Sequence, residues 1–173
     1  RIVPNLNFDG TVHNQRFNAN GIDLNRSFPD REFDSTSDTT GREPETIAVM
    51  RWSEQNNFVL AANFHAGALL VNYPWDKNIS GTGYAATPDD ATFRRLALSY
   101  SSLNEPMYNS SYFDQGITNG ALWYEVSGSM QDWSYYWHGC MEVTIELSEN
   151  KQPDPQELPH KEMDVDIALE CTG

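Results

Sequence analysis

The chain has 173 residues and a formal net charge of −14, with 39% hydrophobic and 12% aromatic residues. This length favours one domain with its own core, and the composition is typical of a globular protein rather than a disordered one. An acidic surface repels nucleic acids and anionic membranes, and it either attracts cationic ligands or only keeps the chain in solution. We therefore expect no nucleic acid binding. Because no stretch approaches the roughly 20 apolar residues that span a bilayer, we also expect no membrane span.

The first predicted elements are a strand end at residues 2–4 and a helix that begins at Pro44 and ends near Gln55. Proline suits the first turn of a helix, and so do the acids Glu43 and Glu45. This helix should bury the apolar side chains Ile47, Val49 and Met50. The polar residues 5–42 lack periodicity, and loops of such length are usually functional.

Further along the chain, the pattern alternates between strands and a helix. Residues 58–65 are predicted as a buried strand, residues 69–73 as a second strand and residues 141–147 as a third. A helix from residue 88 to residue 100 should bury Phe93, Leu96, Ala97 and Tyr100, which recur at helical spacing. Residues 116–137 are predicted to be irregular, as is a tail from about residue 149. Helices that alternate with buried strands indicate a layered α/β domain.

Three charged or ionisable residues stand out before any family is considered. His65 lies at the end of a predicted strand, where α/β sheets bind ligands, although a lone histidine there is more often structural. Glu146 lies in a hydrophobic strand, where an unpaired carboxylate is costly, so it has either a catalytic or cation-binding role or a structural ion pair. Arg26 could equally form a surface ion pair. Cys140 and Cys171 lack the spacing of metal ligands, and they could pair or both be free.

Seven segments, taken in chain order, favour functional roles over structural ones for these residues. They include Asn7-Phe8-Asp9-Gly10, Asn63-Phe64-His65-Ala66-Gly67 and Asn72-Tyr73-Pro74-Trp75-Asp76, together with residues 16–30, 116–124, 130–133 and 142–148. They resemble the motifs of the M14 metallocarboxypeptidases, and the closest match is the regulatory branch that includes carboxypeptidases E, N, D and M. The resemblance covers about residues 1–159. It implies a mixed, mostly parallel β-sheet flanked by helices.

The resemblance also assigns roles in catalysis. His65 matches a zinc ligand, and Asp23 matches a carboxylate that orients another ligating histidine. Arg16 matches the guanidinium that stabilises the oxyanion when water attacks the scissile carbonyl. Glu146 matches the general base that takes a proton from that water and returns it to the leaving amine.

Further matches concern the substrate. Asn25 and Arg26 match the pair that binds the terminal carboxylate of a peptide, a task for which the planar guanidinium is well shaped. Tyr124 matches a mobile phenol that closes over bound substrate. Asp76 matches the acid that pairs with a substrate Lys or Arg, and Gln131 matches a polar residue of the same pocket. The implied partner is therefore a peptide or protein with a C-terminal basic residue.

The chain departs from the family in its zinc ligands. A catalytic zinc site needs three protein ligands, and the family supplies two of them as a His-X-X-Glu pair that none of the four histidines begins here. We therefore expect residues 1–173 to be the C-terminal part of a catalytic domain that lacks its N-terminal strands and helices, and to be inactive alone. The two remaining ligands should lie upstream of residue 1. Ser129 stands where the family usually has glycine.

Two other functions stay open on the sequence. One is a non-catalytic module that binds peptide C-termini, although such a module has no need of Glu146. The other is an N-acyl amino acid deacylase on the same scaffold, which Asp76 and Tyr124 disfavour. Members of the family are mostly secretory, extracellular or periplasmic, and we expect the same of this protein.

Overall fold

The computed structural model describes residues 1–153 and centres on a four-stranded sheet. Its strands are β1 (Leu60–His65), β2 (Ala68–Tyr73), β3 (Ile117–Asn119) and β4 (Met141–Ser148), arranged in the order β1-β4-β2-β3. Strand β4 runs parallel to β1 and antiparallel to β2, while β2 and β3 are parallel. The prediction of a mixed, mostly parallel sheet flanked by helices is confirmed.

Helices surround this sheet, and several begin at residues with a clear capping role. Pro44 occupies the first turn of its helix, and the Ser129 side chain accepts a hydrogen bond from the Asp132 N–H at the start of another. Within residues 1–153, none of the helices is long and apolar enough to cross a bilayer. The α-helices are α1 (Phe8–His13), α2 (Pro44–Glu54), α3 (Asp90–Ser101), α4 (Glu105–Tyr108), α5 (Gly120–Trp123) and α6 (Met130–His138), with 3₁₀ turns at Leu24–Arg26 and Asp114–Gly116.

Three sequence-based predictions of secondary structure are wrong. Residues 2–4 are exposed and irregular rather than the end of a strand, and α1 lies within the stretch that showed no periodicity. Residues 116–137 contain β3, α5 and α6 instead of irregular chain. Helix α6 was hidden because it buries polar side chains, Gln131, Asp132 and Ser134, alongside Trp133, so an apolar period is absent.

Strand β1 is formed as predicted but is not buried. Its side chains alternate between exposed and half-buried, with Leu60 and Phe64 on the exposed side. The reason is its place at the edge of the sheet, where it pairs with β4 alone in the part of the chain that the structure describes. Residues 149–153 are irregular, as predicted, and the rest of the predicted tail lies outside the described residues.

The main core lies between α3 and one face of the sheet. It joins the predicted apolar side chains Phe93, Ala97 and Tyr100 of α3 to Val143 and Ile145 of β4. Leu96 packs against this core only partly buried. A second cluster contains Phe28, Val49, Met50 and Trp133, so α2 buries two of its three predicted side chains while Ile47 is half-buried.

The opposite face of β4 is polar and buried. Because side chains alternate along a strand, Glu142, Thr144 and Glu146 share this face. Asn63 of β1 lies beside Thr144 and donates a hydrogen bond from Nδ2 to Glu142 Oε1 over 2.8 Å. Burial raises the pKa of Glu142, while hydrogen bonds from Ser134 and Asn63 oppose that shift. A single sheet thus carries its core on one side and a polar network on the other.

Cys140 precedes β4, and its thiol is buried and unbonded to another cysteine among the described residues. Burial, with the charge of Glu142 nearby, raises the pKa of this thiol to about 12. Cys171 lies outside the described residues, so pairing of the two remains untested.

Replacing Glu142 by glutamine keeps the shape and hydrogen bonding of the side chain but removes its ionisation. Because burial raises the pKa of Glu142 in the fold above its ordinary value of 4.5, the parent loses stability as the pH rises and the buried group ionises. We expect the stability of E142Q relative to the parent to increase as the pH rises above 4.5, the ordinary pKa of the group. Urea unfolding at several pH values measures this margin.

The exposed Glu105 provides the matched control, since E105Q removes a carboxylate that is not buried. A margin between E142Q and the parent that stays constant with pH would contradict the buried-carboxylate account.

Candidate active site

Strand pairing brings the two strand-borne candidates side by side. His65 ends β1 and lies directly opposite Glu146 of the parallel strand β4. Parallel neighbours paired in this way project their side chains on the same face of a sheet. His65 and Glu146 therefore share the polar face, at the end of the sheet where β1 stops.

The two side chains have complementary electrostatics. Burial and the nearby charge of Arg16 lower the pKa of His65 to about 4, so its imidazole is neutral and keeps a lone pair. Burial raises the pKa of Glu146 to about 7, although Arg16 and Lys151 favour its ionised form. Glu146 Oε2 is buried and has no hydrogen-bond partner among the described residues. A carboxylate in this setting is poised to exchange a proton near neutral pH.

Arg16 and Asp23 form an ion pair beside these residues. Arg16 Nε lies 2.6 Å from Asp23 Oδ2, and Asp23 Oδ1 accepts a hydrogen bond of 3.0 Å from the Asn25 N–H. The Arg16 side chain is 41% exposed and the Asp23 side chain 18% exposed. The positive charge of Arg16 lowers the pKa of both His65 and Glu146, so it favours negative charge in their vicinity.

Asn25 and Arg26 lie in the 3₁₀ turn that follows Asp23. The Asn25 side chain is committed to the fold, because its Oδ1 accepts a hydrogen bond of 2.9 Å from the N–H of Met130 at the start of α6. Arg26 is exposed and donates to the Asn25 carbonyl over 2.7 Å. A Cβ atom at Gly128, whose φ is +70°, would lie 2.7 Å from the Arg26 carbonyl oxygen. Only glycine allows this approach.

Asp76 is a fully buried carboxylate, only 2% exposed, in the segment that follows β2. Its Oδ1 accepts hydrogen bonds from Asn72 Nδ2 over 2.9 Å and from Gln131 Nε2 over 2.8 Å. Burial raises the pKa of Asp76, whereas hydrogen bonds from Ser129, Asn72 and Gln131 and the charge of Arg26 favour the ionised form. The neighbours that bond to the carboxylate are therefore neutral donors.

Gln131 connects this carboxylate to the sheet. It is fully buried in α6, and its Oε1 accepts a hydrogen bond of 2.8 Å from Thr144 Oγ1 on the polar face of β4. A chain of hydrogen bonds therefore runs from Asp76 through Gln131 to Thr144, which lies two residues before Glu146 on the same face of β4.

Tyr124 is the candidate residue that is least tied to the others. Its side chain is 47% exposed, and its ring packs edge-on against Trp123 with centroids 4.6 Å apart. Two residues further along the chain, the Val126 N–H donates a hydrogen bond of 2.9 Å to the Asp76 carbonyl oxygen. The structure thus bonds Asp76 to Gln131, places His65 opposite Glu146 and pairs Arg16 with Asp23, with Asn25 and Arg26 in the turn that follows, while Tyr124 is exposed.

Several residues of the pocket were not identified from the sequence. Asn72 and Thr144 could have been suspected, since both are polar residues inside predicted strands. Asp132 sits one residue after Gln131 in a quoted motif and binds the backbone of Asp76. Arg31 had no signal at all, because its role depends on contacts with residues far away in the chain.

Comparison with known proteins now identifies the family. The sequence profile of the peptidase M14 family, described as zinc carboxypeptidase, matches residues 1–165. The chain belongs to this family. It is 48% identical over 158 residues to carboxypeptidase SOL1 of Arabidopsis thaliana, covering 91% of this chain and 32% of that protein. It is 47% identical over 178 residues to human carboxypeptidase D, covering 92% of this chain and 13% of that protein. The chain thus spans a minor part of each relative.

Solved structures agree on the fold. The chain superimposes on carboxypeptidase A from Helicoverpa armigera with a TM-score of 0.74 at 17% identity, covering 98% of this chain and 49% of that one. Thrombin activatable fibrinolysis inhibitor gives a TM-score of 0.74 at 17% identity, covering 97% and 48%. The fold described above is therefore that of about half of each of these two chains.

Membership of the family implies zinc, and the described residues supply one fitting donor. The neutral imidazole of His65 is the protonation state that binds a metal. Residues 1–153 contain no group of three or more His, Cys, Asp or Glu side chains that could hold a metal ion. Because a catalytic zinc site takes three protein ligands, a site on His65 requires donors from outside the described residues.

The close approach of Gly120 to Asp76 is a testable feature of this site. A Cβ atom at Gly120 would lie 2.0 Å from Asp76 Oδ1 and 2.8 Å from its Cα, so alanine must displace the carboxylate. We expect G120A to lower the free energy of unfolding by about 1–3 kcal/mol, as overpacking does. Chemical denaturation measures the loss.

Gly81 is the control, since a Cβ atom there meets nothing within 4 Å. We expect G81A to change the free energy of unfolding by less than about 0.5 kcal/mol. Equal stabilities of G120A and G81A would contradict the packing described around Asp76.

Proposed function

We propose that this chain is the C-terminal part of the catalytic domain of a zinc exopeptidase that releases Lys or Arg from peptide C-termini. The buried carboxylate of Asp76 is the observation that carries the proposal. Hydrogen bonds join it through Gln131 to Thr144, which lies on the same strand face as Glu146, and the donors bonded to it are uncharged. This pairing of a pocket acid with a candidate base supports a peptidase with a basic preference.

The chemistry of the pocket favours a cationic ligand. Burial of an ionised carboxylate is costly unless a positive charge accompanies it. Asn72, Gln131 and Ser129 supply hydrogen bonds but no charge. An ammonium or guanidinium group of a substrate would supply that charge, whereas the side chain of a C-terminal Leu or Phe would leave the carboxylate uncompensated.

Arg26 supports cleavage at the chain terminus. Its guanidinium is exposed, and its positive charge acts on the pKa of both His65 and Asp76. A planar guanidinium can meet both oxygens of a carboxylate. In this proposal Arg26 and Asn25 bind the terminal carboxylate of the peptide, which an internal peptide bond does not offer.

The remaining residues divide the chemical step. Glu146 accepts a proton from the attacking water and passes it to the leaving amine, as a carboxylate with a pKa near neutrality can do. Arg16 stabilises the oxyanion, and Asp23 holds Arg16 through their ion pair. His65 serves as one zinc ligand, with the other two from a segment outside this chain, and the metal when bound supplies Lewis-acid activation.

Tyr124 and the setting of the protein complete the proposal. The exposed phenol of Tyr124 closes over bound substrate from the rim of the pocket. The substrates are peptides or proteins with a C-terminal Lys or Arg, met in the secretory pathway, outside the cell or in the periplasm. The acidic net charge of −14 attracts such basic substrates.

The function is tested on the full-length protein that contains this chain. We expect it to bind zinc and to release Arg and Lys from peptide C-termini in preference to Leu. Because a lost hydrogen bond to a charged group costs about 1.5–3 kcal/mol, D76N should lower kcat/KM for C-terminal Arg by about 10- to 100-fold. Quantification of the released amino acid measures both effects.

Asp114, which is exposed, provides the isosteric control D114N. A full-length protein that binds zinc but releases no C-terminal residue would disprove the proposal. A preference for C-terminal Leu or Phe, unchanged in D76N, would remove the role of Asp76 and leave the exopeptidase intact.

Glu146 separates an enzyme from a module that only binds peptides. Removing a general base typically costs about 10²- to 10⁴-fold in rate, so E146Q should lower kcat by that factor and change KM little. Steady-state kinetics on a C-terminal Arg peptide measures the split, with E105Q as the control. If E146Q binds such peptides as tightly as a parent that never cleaves them, the binding module is the correct function.

A further inference from the structure

Arg31 contacts the residues on both sides of Asp76. Its guanidinium carbon lies 4.1 Å from the centre of the Trp75 ring, and its Nη2 donates a hydrogen bond to the Lys77 carbonyl oxygen. Trp75 and Lys77 are the residues immediately before and after Asp76. The Arg31 side chain is only 10% exposed, so these contacts are made away from water and are correspondingly strong.

Asp132 holds the same segment at its centre. Both of its carboxylate oxygens lie 3.0 Å from the backbone nitrogen of Asp76, and Asp132 is itself buried. Arg31 Nε lies 3.9 Å from Asp132 Oδ2. Arg31, Asp132 and the backbone of residues 75–77 therefore form one closed set of contacts around Asp76.

The turn that carries Arg31 is fastened at further points. Asp30 Oδ2 accepts a hydrogen bond of 2.9 Å from the Gly128 N–H, and Glu32 forms an ion pair with Lys77. The Lys77 ammonium lies 4.2 Å from the centre of the Phe33 ring. Residues 30–33 thus bind the loops on either side of the pocket acid, and Arg31 is held firmly enough to fix Asp76 in turn.

Charge explains why an arginine stands at this place. Asp76 and Asp132 are both buried, and two carboxylates so close together oppose each other's ionisation. Burial and the charge of Asp76 raise the pKa of Asp132 well above its usual range, and the positive charge of Arg31 opposes that shift. Arg31 thus supplies positive charge beside two buried acids.

We infer that Arg31 and Asp132 are positioning residues that hold Asp76 for the cationic side chain of the substrate. This inference rests on the proposed function. Neither residue touches the substrate. Asp132 fixes the Asp76 backbone, and Arg31 lies beside Asp132 and binds the residues on either side of Asp76. Their loss should therefore weaken selection of the basic side chain without removing the chemical step.

The test uses the full-length zinc-loaded protein with the variants R31Q, R31K and D132N. Either substitution should displace Asp76 and so weaken its hydrogen bond to the cationic side chain of the substrate. We therefore expect R31Q and D132N each to raise KM for a C-terminal Arg peptide by about tenfold or more. Their kcat should stay within about threefold of the parent value, because neither residue takes part in the chemical step. R31K keeps the charge but not the planar fork, so its KM should lie between those of the parent and R31Q.

A double-mutant cycle distinguishes positioning from a general structural role. If Arg31 acts through Asp76, R31Q introduced into D76N should change kcat/KM by less than about twofold, because the two effects are not additive. Full additivity of R31Q and D76N would overturn the inference. R95Q, at an exposed arginine of α3, is the control that should leave KM and kcat unchanged.

Three other outcomes have defined meanings. Unchanged KM in both R31Q and D132N, with the parent selecting basic residues, overturns the inference and leaves the proposed function standing. Loss of folding in R31Q, R31K and D132N alike, seen by circular dichroism, also overturns it, because the residues would then be purely structural. A parent that shows no preference for C-terminal Arg or Lys disproves the proposed function itself.

Discussion

Strand β4 is paired on both edges, and its register against β1 and β2 determines where the site residues of the sheet lie. The parallel pairing with β1 places Glu146 opposite His65, and the antiparallel pairing with β2 places Thr144 opposite Asn72. A shift of one residue would turn the apolar side chains of β4 away from α3 and expose its carboxylates to the core. Packing of the apolar side chains on one face of β4 therefore fixes the positions of the polar side chains on the other face.

The polar face is stable because its buried groups bond to one another. Both polar atoms of the Gln131 side chain form hydrogen bonds: Nε2 donates to Asp76, and Oε1 accepts from Thr144. Asn63 donates a hydrogen bond to Glu142. A network of this kind is stabilising only when its members are satisfied, since an orphaned buried polar group costs about 1–3 kcal/mol. Among the described residues, the side-chain oxygens of Asn63 and Asn72 and Glu146 Oε2 have no hydrogen-bond partner, and Glu146 Oε2 is the one that the proposed reaction needs as an acceptor.

Elements with a clear hydrophobic period were predictable, and those with buried polar residues were not. Helix α3 and strand β4 follow their periods closely, whereas α6 escaped because Gln131 and Asp132 stand where apolar residues are expected. The strand β1 was predicted but judged buried, because its apolar letters do not reveal its place at an edge. The main site residues followed from family motifs. Arg31 did not, since its function arises only from contacts between segments distant in the chain.

The double donation to Asp76 has an evolutionary consequence. Exchanging Asp76 for an apolar residue would remove the acceptor of two buried amides, those of Asn72 and Gln131, at a cost of about 1–3 kcal/mol each. Gly120 packs directly against the carboxylate, since a Cβ atom there would lie 2.0 Å from Asp76 Oδ1. An apolar residue can therefore replace Asp76 without loss of stability only if its neighbours change with it.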